Sequence, residues 1–299
     1  MKTTSYSAFT GVGTALVTPF NFDGTVDYVG LEKLVNYQIE NGVSFLVVQG
    51  TTGESVTLSI EEKKEVLRQV IKTNAGRLPV VLGIGGNNTA EVVNQLKTAD
   101  IKGVDGILSV SPYYNKPTQE GIFQHYKVVA AATSLPIILY NVPGRTASNV
   151  LPETTLRIAE ACPNIVAVKE ASGNMEQIMH LIRDRKPGFL VLSGDDAITL
   201  PIMACGGDGV ISVLSNALPK EFSSVVNDTS SGNLQNARKT HYSMLEFTRL
   251  LFVEGNPAGV KEALQYLQVC KNHLRLPLVN VSNNASLSIK NELIKLDKL

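Results

Sequence analysis

Eight short apolar runs recur along the 299-residue chain, and a stretch with helical spacing follows each of them. A run that is apolar at consecutive positions indicates a strand covered on both faces, as the strands of parallel sheets are. Eight strands that alternate with helices predict an α/β protein folded as a closed (β/α)8 TIM barrel, with a doubly wound open sheet as the alternative. The runs span residues 13–17, 44–49, 79–84, 105–110, 136–140, 165–169, 189–192 and 209–213.

Between the runs, apolar residues recur three and four positions apart, which is the period of an amphipathic helix. Ser59 and Glu62 have the spacing of a capping box, and we expect the helix that they open to end near Thr73. The other helical stretches cover residues 27–39, 88–99, 118–132, 152–161, 175–185 and 196–205.

The strand pattern disappears after residue 213, and the remaining sequence predicts only helices. We expect two parts, a catalytic barrel over residues 1–229 and a C-terminal helical region over residues 230–299. No low-complexity linker separates them, so the second part is expected to pack on the barrel. The helices are predicted over residues 218–226, 234–251, 259–269 and 285–296.

The composition favours small-molecule chemistry. Lysine plus arginine and aspartate plus glutamate number 27 each, so no net charge recruits nucleic acid or an anionic membrane. The first residues, 1–6, lack an apolar signal core, and no apolar stretch approaches the roughly 20 residues that a membrane helix needs. We therefore expect a cytoplasmic enzyme with neither a nucleic-acid nor a membrane partner.

The cysteines and histidines do not suggest a metal or redox centre. The cysteines are few, far apart and without metal-binding spacing, and we expect reduced, mostly buried thiols at Cys162, Cys205 and Cys270. The histidines fall in helical or connecting segments away from strand ends, and each is expected at the surface: His125, His180, His241 and His273. We expect no metal and no cofactor.

The apolar run 165–169 ends on Lys169 and is followed at once by helix-starting residues. A lysine held in apolar surroundings loses hydration of its ammonium group, so its pKa falls and a nucleophilic amine becomes available. Such an amine suits Schiff-base chemistry on a carbonyl. The alternative is a lysine whose ammonium group reaches from the strand end into water.

Catalytic groups of such barrels come from the carboxyl ends of the strands and the loops after them. Tyr140 ends the fifth strand, and a tyrosine from the loop 111–117 is expected beside it, where the pair would pass protons or merely pack at the rim. The glycines and hydroxyls of residues 49–54 would present donors to a carboxylate, and Arg145 would suit a second one. Asp195 and Asp196 are expected to cap a helix, and their charge disfavours a phosphorylated sugar as the substrate.

Six motifs in the same order resemble the pyruvate-dependent class I aldolase and lyase superfamily that includes N-acetylneuraminate lyase, and within it the dihydrodipicolinate synthase family. The likeness runs almost end to end. The motifs 50–54 (Gly-Thr-Thr-Gly-Glu) and 168–173 (Val-Lys-Glu-Ala-Ser-Gly) resemble the superfamily's pyruvate loop and Schiff-base strand. The motifs 113–117 (Tyr-Tyr-Asn-Lys-Pro) and 140–146 (Tyr-Asn-Val-Pro-Gly-Arg-Thr) resemble the synthase family itself.

The resemblance implies a catalytic set. Lys169 matches the lysine that forms an imine with pyruvate, and Tyr140 matches the central hydroxyl of a proton relay. Thr52 lies beside that hydroxyl in the family, and a neighbouring subunit contributes the residue that matches Tyr114. The last point implies a homotetramer built as a dimer of dimers.

The resemblance also implies a binding set. Thr51 and Thr52 match the pair that holds the pyruvate carboxylate, and Arg145 matches the residue that binds the carboxylate of L-aspartate 4-semialdehyde. Gly194 and Ile211 match positions that line the pocket through backbone groups. The segment 256–261 departs from the family because Gly259 replaces a frequent second proline, and it is expected to lie outside the site.

The implied reaction condenses pyruvate with L-aspartate 4-semialdehyde through a lysine Schiff base, in the diaminopimelate route to lysine. One alternative is an N-acetylneuraminate lyase or keto-deoxy-sugar aldolase, which shares the lysine and the tyrosine but normally lacks the Pro-Gly-Arg-Thr arrangement. Another is a barrel that has lost catalysis and serves as a binding or regulatory protein. The intact Lys169, Tyr140, Thr51 and Thr52 argue against that reading.

The resemblance further implies an allosteric site for lysine at a dimer interface, matched here by Ser55, Asn87, Glu91 and Tyr113. Strongly regulated members often have histidines at positions that hold Ile60 and Lys63 in this chain. Ile60 offers no polar atom, and Lys63 would repel a cationic ligand. We therefore expect a weak or vestigial allosteric site.

Overall fold

The computed structural model describes residues 6–299 and shows a closed barrel of eight parallel strands, in which each strand pairs with the next and the last pairs with the first. The predicted (β/α)8 TIM barrel is therefore confirmed. Residues 1–5, part of the segment in which the sequence predicts no signal core, lie outside the described residues. The strands are β1 (Gly11–Ala15), β2 (Phe45–Val48), β3 (Val80–Gly83), β4 (Gly106–Val110), β5 (Ile137–Asn141), β6 (Ile165–Glu170), β7 (Leu190–Ser193) and β8 (Gly209–Ser212).

Helices follow the strands and cover the outside of the barrel. Most lie within a few residues of the bounds predicted from the apolar spacing. The helices are α1 (Tyr28–Glu40), α2 (Ile60–Asn74), α3 (Thr89–Thr98), α4 (Gln119–Ala131), α5 (Pro143–Thr146), α6 (Pro152–Ala161), α7 (Met175–Asp184), α8 (Thr199–Ala204), α9 (Pro219–Ser230), α10 (Leu234–Leu250), α11 (Ala258–Tyr266) and α12 (Asn283–Lys295).

The predicted capping box opens α2. The Ser59 hydroxyl accepts from the Glu62 backbone N–H, and the Glu62 carboxylate accepts from the Ser59 N–H. Two of the free backbone donors at the start of the helix are thereby satisfied. The short helix α5, which the sequence did not predict, begins at Pro143 and carries Arg145.

The segment after β7 differs from its prediction. A single helix over residues 196–205 was expected, but the chain forms a 3-10 turn over Asp196–Ile198 before α8 begins at Thr199. Asp195 caps this turn, as predicted, by accepting from the Ala197 N–H. Asp196 instead accepts from the backbone N–H groups of Val213 and Leu214 and so fixes the end of β8.

The register between β5 and β6 places the candidate lysine. Tyr140 pairs with Lys169, and Asn141 pairs with Glu170. Because successive side chains of a strand point to opposite faces, the first pair faces the barrel mouth and the second faces the surrounding helices. Glu170 is fully buried there, and its carboxylate accepts from Asn141 Nδ2 at 3.0 Å and from Gln177 Nε2 at 3.2 Å.

The C-terminal helices share the main hydrophobic core with the barrel. Phe247 of α10, Val260 of α11 and Ile289 of α12 are fully buried in the same cluster as residues of the strands, of α1–α4 and of α6–α9. The division into parts at residues 229 and 230 stays a prediction. Within residues 6–299, no helix combines the length and apolar character that crossing a membrane requires.

Two of the four histidines contradict the expectation that all lie at the surface. His125 is 4% exposed and His241 is 6% exposed, because helix packing covers both. The Nδ1 atom of His125 lies 2.9 Å from the Thr89 hydroxyl, and burial lowers the pKa of His125 to about 4. The described part of the chain holds no group of three His, Cys, Asp or Glu residues arranged for a metal ion.

Candidate active site

The side chain of Lys169 is buried at the barrel mouth. It is 5% exposed, and its Nζ atom lies 4.2 Å from the centroid of the Tyr140 ring. Burial lowers the pKa of Lys169 to about 8, with a smaller lowering by the Arg145 charge and an opposing effect of Asp196. A larger fraction of this amine is therefore neutral at a given pH than for a lysine in water.

Gly194, directly after β7, leaves room for this lysine. A Cβ atom at residue 194 would lie 3.0 Å from Lys169 Cε and 2.7 Å from the Ala171 Cβ. The Gly194 N–H donates to the Glu170 carbonyl at 2.8 Å. This hydrogen bond opposes any movement of the backbone at residue 194 away from Lys169. A side chain at residue 194 would therefore crowd both Ala171 and Lys169, and at least one of them would have to move.

Tyr140 lines the same cavity as Lys169 and is 7% exposed. Burial raises the pKa of Tyr140 to about 12, although the Arg145 charge opposes the change. At neutral pH the phenol is therefore protonated. It is placed to donate a proton to a group formed on Lys169 and to take one back.

The loop after β2 brings Thr51 and Thr52 to this cavity. Both lie in a 3-10 turn over Thr51–Gly53, in which Thr51 is exposed and Thr52 is 3% exposed. The Gly53 carbonyl accepts from the Thr18 hydroxyl at 2.7 Å, which ties the turn to the segment after β1. The hydroxyls are thus held on a fixed turn beside the lysine.

The C-terminal segment 256–261 reaches this loop, which corrects the expectation that it lies outside the site. Asn256 lines the cavity and donates from Nδ2 to the Thr52 hydroxyl at 2.9 Å. Lys261 Nζ lies 2.5 Å from the Glu54 carboxylate, and neither side chain has any exposed surface. Only barrel closure and the packing of α11 bring these residues together, so the local sequence pattern gave no signal for either contact.

The network around Glu54 extends further. Lys261 also donates to the His273 carbonyl at 2.8 Å, and the second Glu54 oxygen accepts from the Arg275 backbone N–H at 3.1 Å. The Arg275 guanidinium pairs in turn with Glu62 at the start of α2. The loop is therefore held between the barrel and the C-terminal region by charges that satisfy one another.

Of the other predicted site residues, some line the cavity that contains Lys169 and others do not. Arg145 and Gly194 line the cavity with Lys169, and Arg145 is exposed. Ile211 is buried in the barrel interior and does not line the cavity. Tyr114 is 88% exposed on a backbone with a left-handed φ of 70°, and its own chain does not bring it to Lys169.

The residues matched to an allosteric site lie along an extension of the same cavity. Ser55, Glu91 and Tyr113 line it, together with Ile60 and Lys63. Asn87 does not line it. The Asn87 carbonyl instead accepts from Asn115 Nδ2 at 3.0 Å and so holds the loop after β4.

Taken together, the site offers a buried amine of lowered pKa, a protonated phenol, two hydroxyls on a fixed turn and a guanidinium at the entrance. This set suits the attack of an amine on a carbonyl compound that carries a carboxylate.

A family model described as the dihydrodipicolinate synthetase family matches residues 8–296. The chain is 55% identical over 269 residues to a 4-hydroxy-tetrahydrodipicolinate synthase of Parabacteroides distasonis, a match that covers 90% of this chain and 91% of the relative.

Two solved structures are also similar. The structure of a monomeric dihydrodipicolinate synthase variant superposes with a TM-score of 0.95 at 43% identity and covers 98% of each chain. A chloride-inhibited dihydrodipicolinate synthase of Acinetobacter baumannii, complexed with pyruvate, superposes with a TM-score of 0.94 at 40% identity. That match covers 97% of this chain and 99% of the other.

Proposed function

The chain belongs to the dihydrodipicolinate synthetase family and has 4-hydroxy-tetrahydrodipicolinate synthase activity, a lyase activity, and we propose that it works through an imine between Lys169 and pyruvate. The substrates are pyruvate and L-aspartate 4-semialdehyde, and the product enters the diaminopimelate route to lysine. The relatives do not favour the alternative of an N-acetylneuraminate lyase or keto-deoxy-sugar aldolase.

The first step is attack of the neutral Lys169 amine on the ketone carbon of pyruvate. Loss of water leaves the imine, and removal of a methyl proton converts it to an enamine. Tyr140 supplies a proton to the departing hydroxyl, which leaves as water, and the resulting phenolate takes up the methyl proton as the enamine forms. The buried position of both groups supports this step, because it lowers the pKa of the amine while keeping the phenol protonated.

The enamine carbon then attacks the aldehyde carbon of the second substrate, a new carbon–carbon bond forms, and the former aldehyde oxygen takes up a proton from Tyr140. The substrate's own amine attacks the imine carbon, closes the ring and releases Lys169. Thr51 and Thr52 hold the pyruvate carboxylate in this proposal, with backbone groups of Gly194 and Ile211 lining the pocket. Arg145 binds the carboxylate of the aldehyde, since a guanidinium suits bidentate contact with a carboxylate.

The position of Lys169 against Tyr140, with its lowered pKa, is the single observation that carries the imine mechanism. The test is borohydride reduction in the presence of pyruvate. It should inactivate the protein and leave a reduced three-carbon adduct on Lys169, found by peptide mass analysis. The initial rate of trapping should rise with pH and level off above about 8, because the neutral amine is the nucleophile.

Two lysines make the experiment specific. Lys169→Met should abolish the adduct, whereas Lys261, which is equally buried but paired with Glu54, should remain unmodified in the native protein. Absence of an adduct on Lys169, or an adduct that persists in Lys169→Met, would refute the imine mechanism without touching the family assignment.

We also propose a homotetramer arranged as a dimer of dimers. The support is the exposed position of Tyr114, which could complete the relay with Tyr140 only from a neighbouring copy. A relative of this fold exists as a monomeric variant, so the assembly needs its own measurement by sedimentation. A cytoplasmic location, inferred from the composition, belongs to the same proposal.

A further inference from the structure

Asn256 occupies a position that the mechanism above does not use. It is 8% exposed, lies directly before α11 and lines the cavity that contains Lys169 and Tyr140. Its Nδ2 atom donates to the Thr52 hydroxyl at 2.9 Å. Its Oδ1 atom is buried and has no hydrogen-bond partner among residues 6–299. A buried amide oxygen without a hydrogen-bond partner lowers the stability of the fold. An asparagine at this position in the cavity wall therefore calls for an explanation.

The contact restricts the direction of the Thr52 proton. A hydroxyl has one donor and two acceptor sites, and the amide N–H of Asn256 occupies one of the acceptor sites. The hydroxyl proton therefore points away from Asn256 and is free to donate within the cavity. Without Asn256 the hydroxyl would rotate among several directions, and only one of them would serve the reaction.

We propose that Asn256 is a positioning residue that sets the direction of the Thr52 hydroxyl proton. The inference rests on the proposed function and on the position beside the Tyr140 hydroxyl that the family resemblance implies for Thr52. The directed proton is donated towards that hydroxyl, so its loss acts on the proton transfers and hence on kcat. The inference concerns how Thr52 is held, and not which residue reacts.

The surroundings of Asn256 give this contact its rigidity. Lys261 lies about one helical turn further along the same segment and pairs with Glu54, which follows the Thr52 turn. The Thr18 hydroxyl also donates to the Gly53 carbonyl and so holds the same turn. With the segment and the turn joined at Lys261 and Glu54, the amide of Asn256 meets Thr52 at a fixed distance, as preorganised sites require.

A double-mutant cycle with Asn256→Ala and Thr52→Val tests the proposal. We expect Asn256→Ala alone to lower kcat roughly tenfold, with the KM for pyruvate within about threefold of its original value, since one hydrogen bond that directs a proton is lost. In the Thr52→Val background the same change should lower kcat less than twofold, because no hydroxyl is left to direct. Equal losses in the two backgrounds, or a loss in KM alone, would overturn the proposal.

The variant Asn256→Asp keeps the shape of the side chain, but its ionised carboxylate can only accept a hydrogen bond from Thr52, so the variant is assayed at a pH where kcat no longer changes with ionisation of this group. It should turn the hydroxyl proton out of the cavity and lower kcat more than Asn256→Ala does. A smaller loss than that of Asn256→Ala would contradict the proposal. If Asn256→Ala proves too unstable, the cycle is run with Asn256→Asp, which has the same shape as asparagine. In the Thr52→Val background this substitution should again lower kcat less than twofold.

Two readouts separate this proposal from the function on which it rests. Borohydride trapping of pyruvate on Lys169 should survive every Asn256 variant. If Thr52→Val alone retained full activity, the proposed role of Thr52 would fail, and with it this inference, while the imine mechanism would stand. If Thr52→Val is impaired but the two changes act independently, only the role of Asn256 fails.

Discussion

The floor and the rim of the candidate site differ in how their side chains are held. On the floor, Lys169 is 5% exposed and Tyr140 is 7% exposed, and register pairing between β5 and β6 fixes both. On the rim, Tyr114 is 88% exposed and Ile60 is 66% exposed. Burial shifts the pKa of each floor residue, whereas the single chain imposes no comparable environment on the rim.

One chain is enough to build the buried environment of the proposed nucleophile, whereas the role proposed for the exposed Tyr114 needs a second copy. The chemistry of the floor follows from desolvation, which needs only the barrel. The function proposed for the rim requires either a second substrate or a second copy of the chain. Substitutions on the floor should therefore act on the chemical step within each subunit, and substitutions on the rim should depend on the aldehyde, the assembly or an effector.

The largest effect is expected from Tyr140→Phe. Removing the phenol proton should lower kcat by about 10²–10⁴-fold, the range attributed to a general acid and base. Pyruvate should still be trapped on Lys169, though more slowly, because the amine remains buried. The matched control is Tyr126→Phe, since Tyr126 is fully buried but donates to the Ser109 carbonyl outside the cavity. A similar loss of kcat in both variants would assign the effect to packing.

The support of the loop that carries Thr51 and Thr52 is tested by Lys261→Met. Removing one partner of the fully buried Lys261 and Glu54 pair should lower the free energy of unfolding by about 3–5 kcal/mol, because the carboxylate loses its compensating charge. The control is Arg249→Gln, whose pair with Glu246 is 59% and 52% exposed and should contribute less than about 1 kcal/mol. Urea unfolding monitored by circular dichroism measures both. Equal destabilisation of the two variants would show that the buried pair gives this loop no special support.

On the rim, Arg145→Ala should reduce kcat/KM for L-aspartate 4-semialdehyde by roughly 10- to 150-fold, which corresponds to about 1.5–3 kcal/mol for a hydrogen bond to a charged group. The rate of pyruvate trapping should be little changed. Arg145→Lys keeps the charge and should recover only part of the loss, because it cannot bind a carboxylate through two N–H groups. Faster turnover of N-acetylmannosamine than of aspartate semialdehyde by the unmodified protein would favour the lyase instead.

Tyr114→Phe should impair activity without affecting stability, because the side chain is 88% exposed and makes few contacts in its own chain. If a neighbouring subunit supplies Tyr114, mixing the inactive Lys169→Met subunit with Tyr114→Phe should restore activity in mixed assemblies. The Lys169→Met chain would then supply Tyr114 to the site of a neighbouring chain whose Lys169 is intact. The arrangement would be contradicted if no activity returned after the two variants were refolded together. It would also be contradicted if sedimentation showed that the fully active protein is a monomer.

The smallest effect is expected for L-lysine as an inhibitor. Lys63 and Glu91 line the same cavity. Like charges at about 4 Å in partly buried surroundings repel by a few kcal/mol, so an ammonium on Lys63 would oppose a cationic ligand bound there. A tenfold loss of affinity needs only about 1.4 kcal/mol, so inhibition should be weak or absent. Lys63→His should strengthen it in a steady-state titration. Strong inhibition of the unmodified protein at micromolar lysine would show that Lys63 turns to solvent and that Glu91 still binds the ligand.

The sequence alone determined the barrel and the strand-end position of the candidate lysine. Consecutive apolar residues and helical spacing are local properties, and their eightfold alternation leaves few folds that bury both faces of every strand. For the same reason it was possible to place Lys169 and Tyr140 at strand ends. Their being register partners required the closed sheet, because spacing along the chain does not specify the stagger between strands.

Tertiary structure alone decided which distant segments meet. The contact of Asn256 with Thr52 joins residues 204 positions apart. The sequence around either residue does not predict that the two will meet. Packing also buried His125 and turned Asp196 from an expected cap into an acceptor for the end of β8. The physical reason is that polar groups enclosed by packing must find partners wherever the fold brings them, and only the closed barrel with its C-terminal helices fixes where that is.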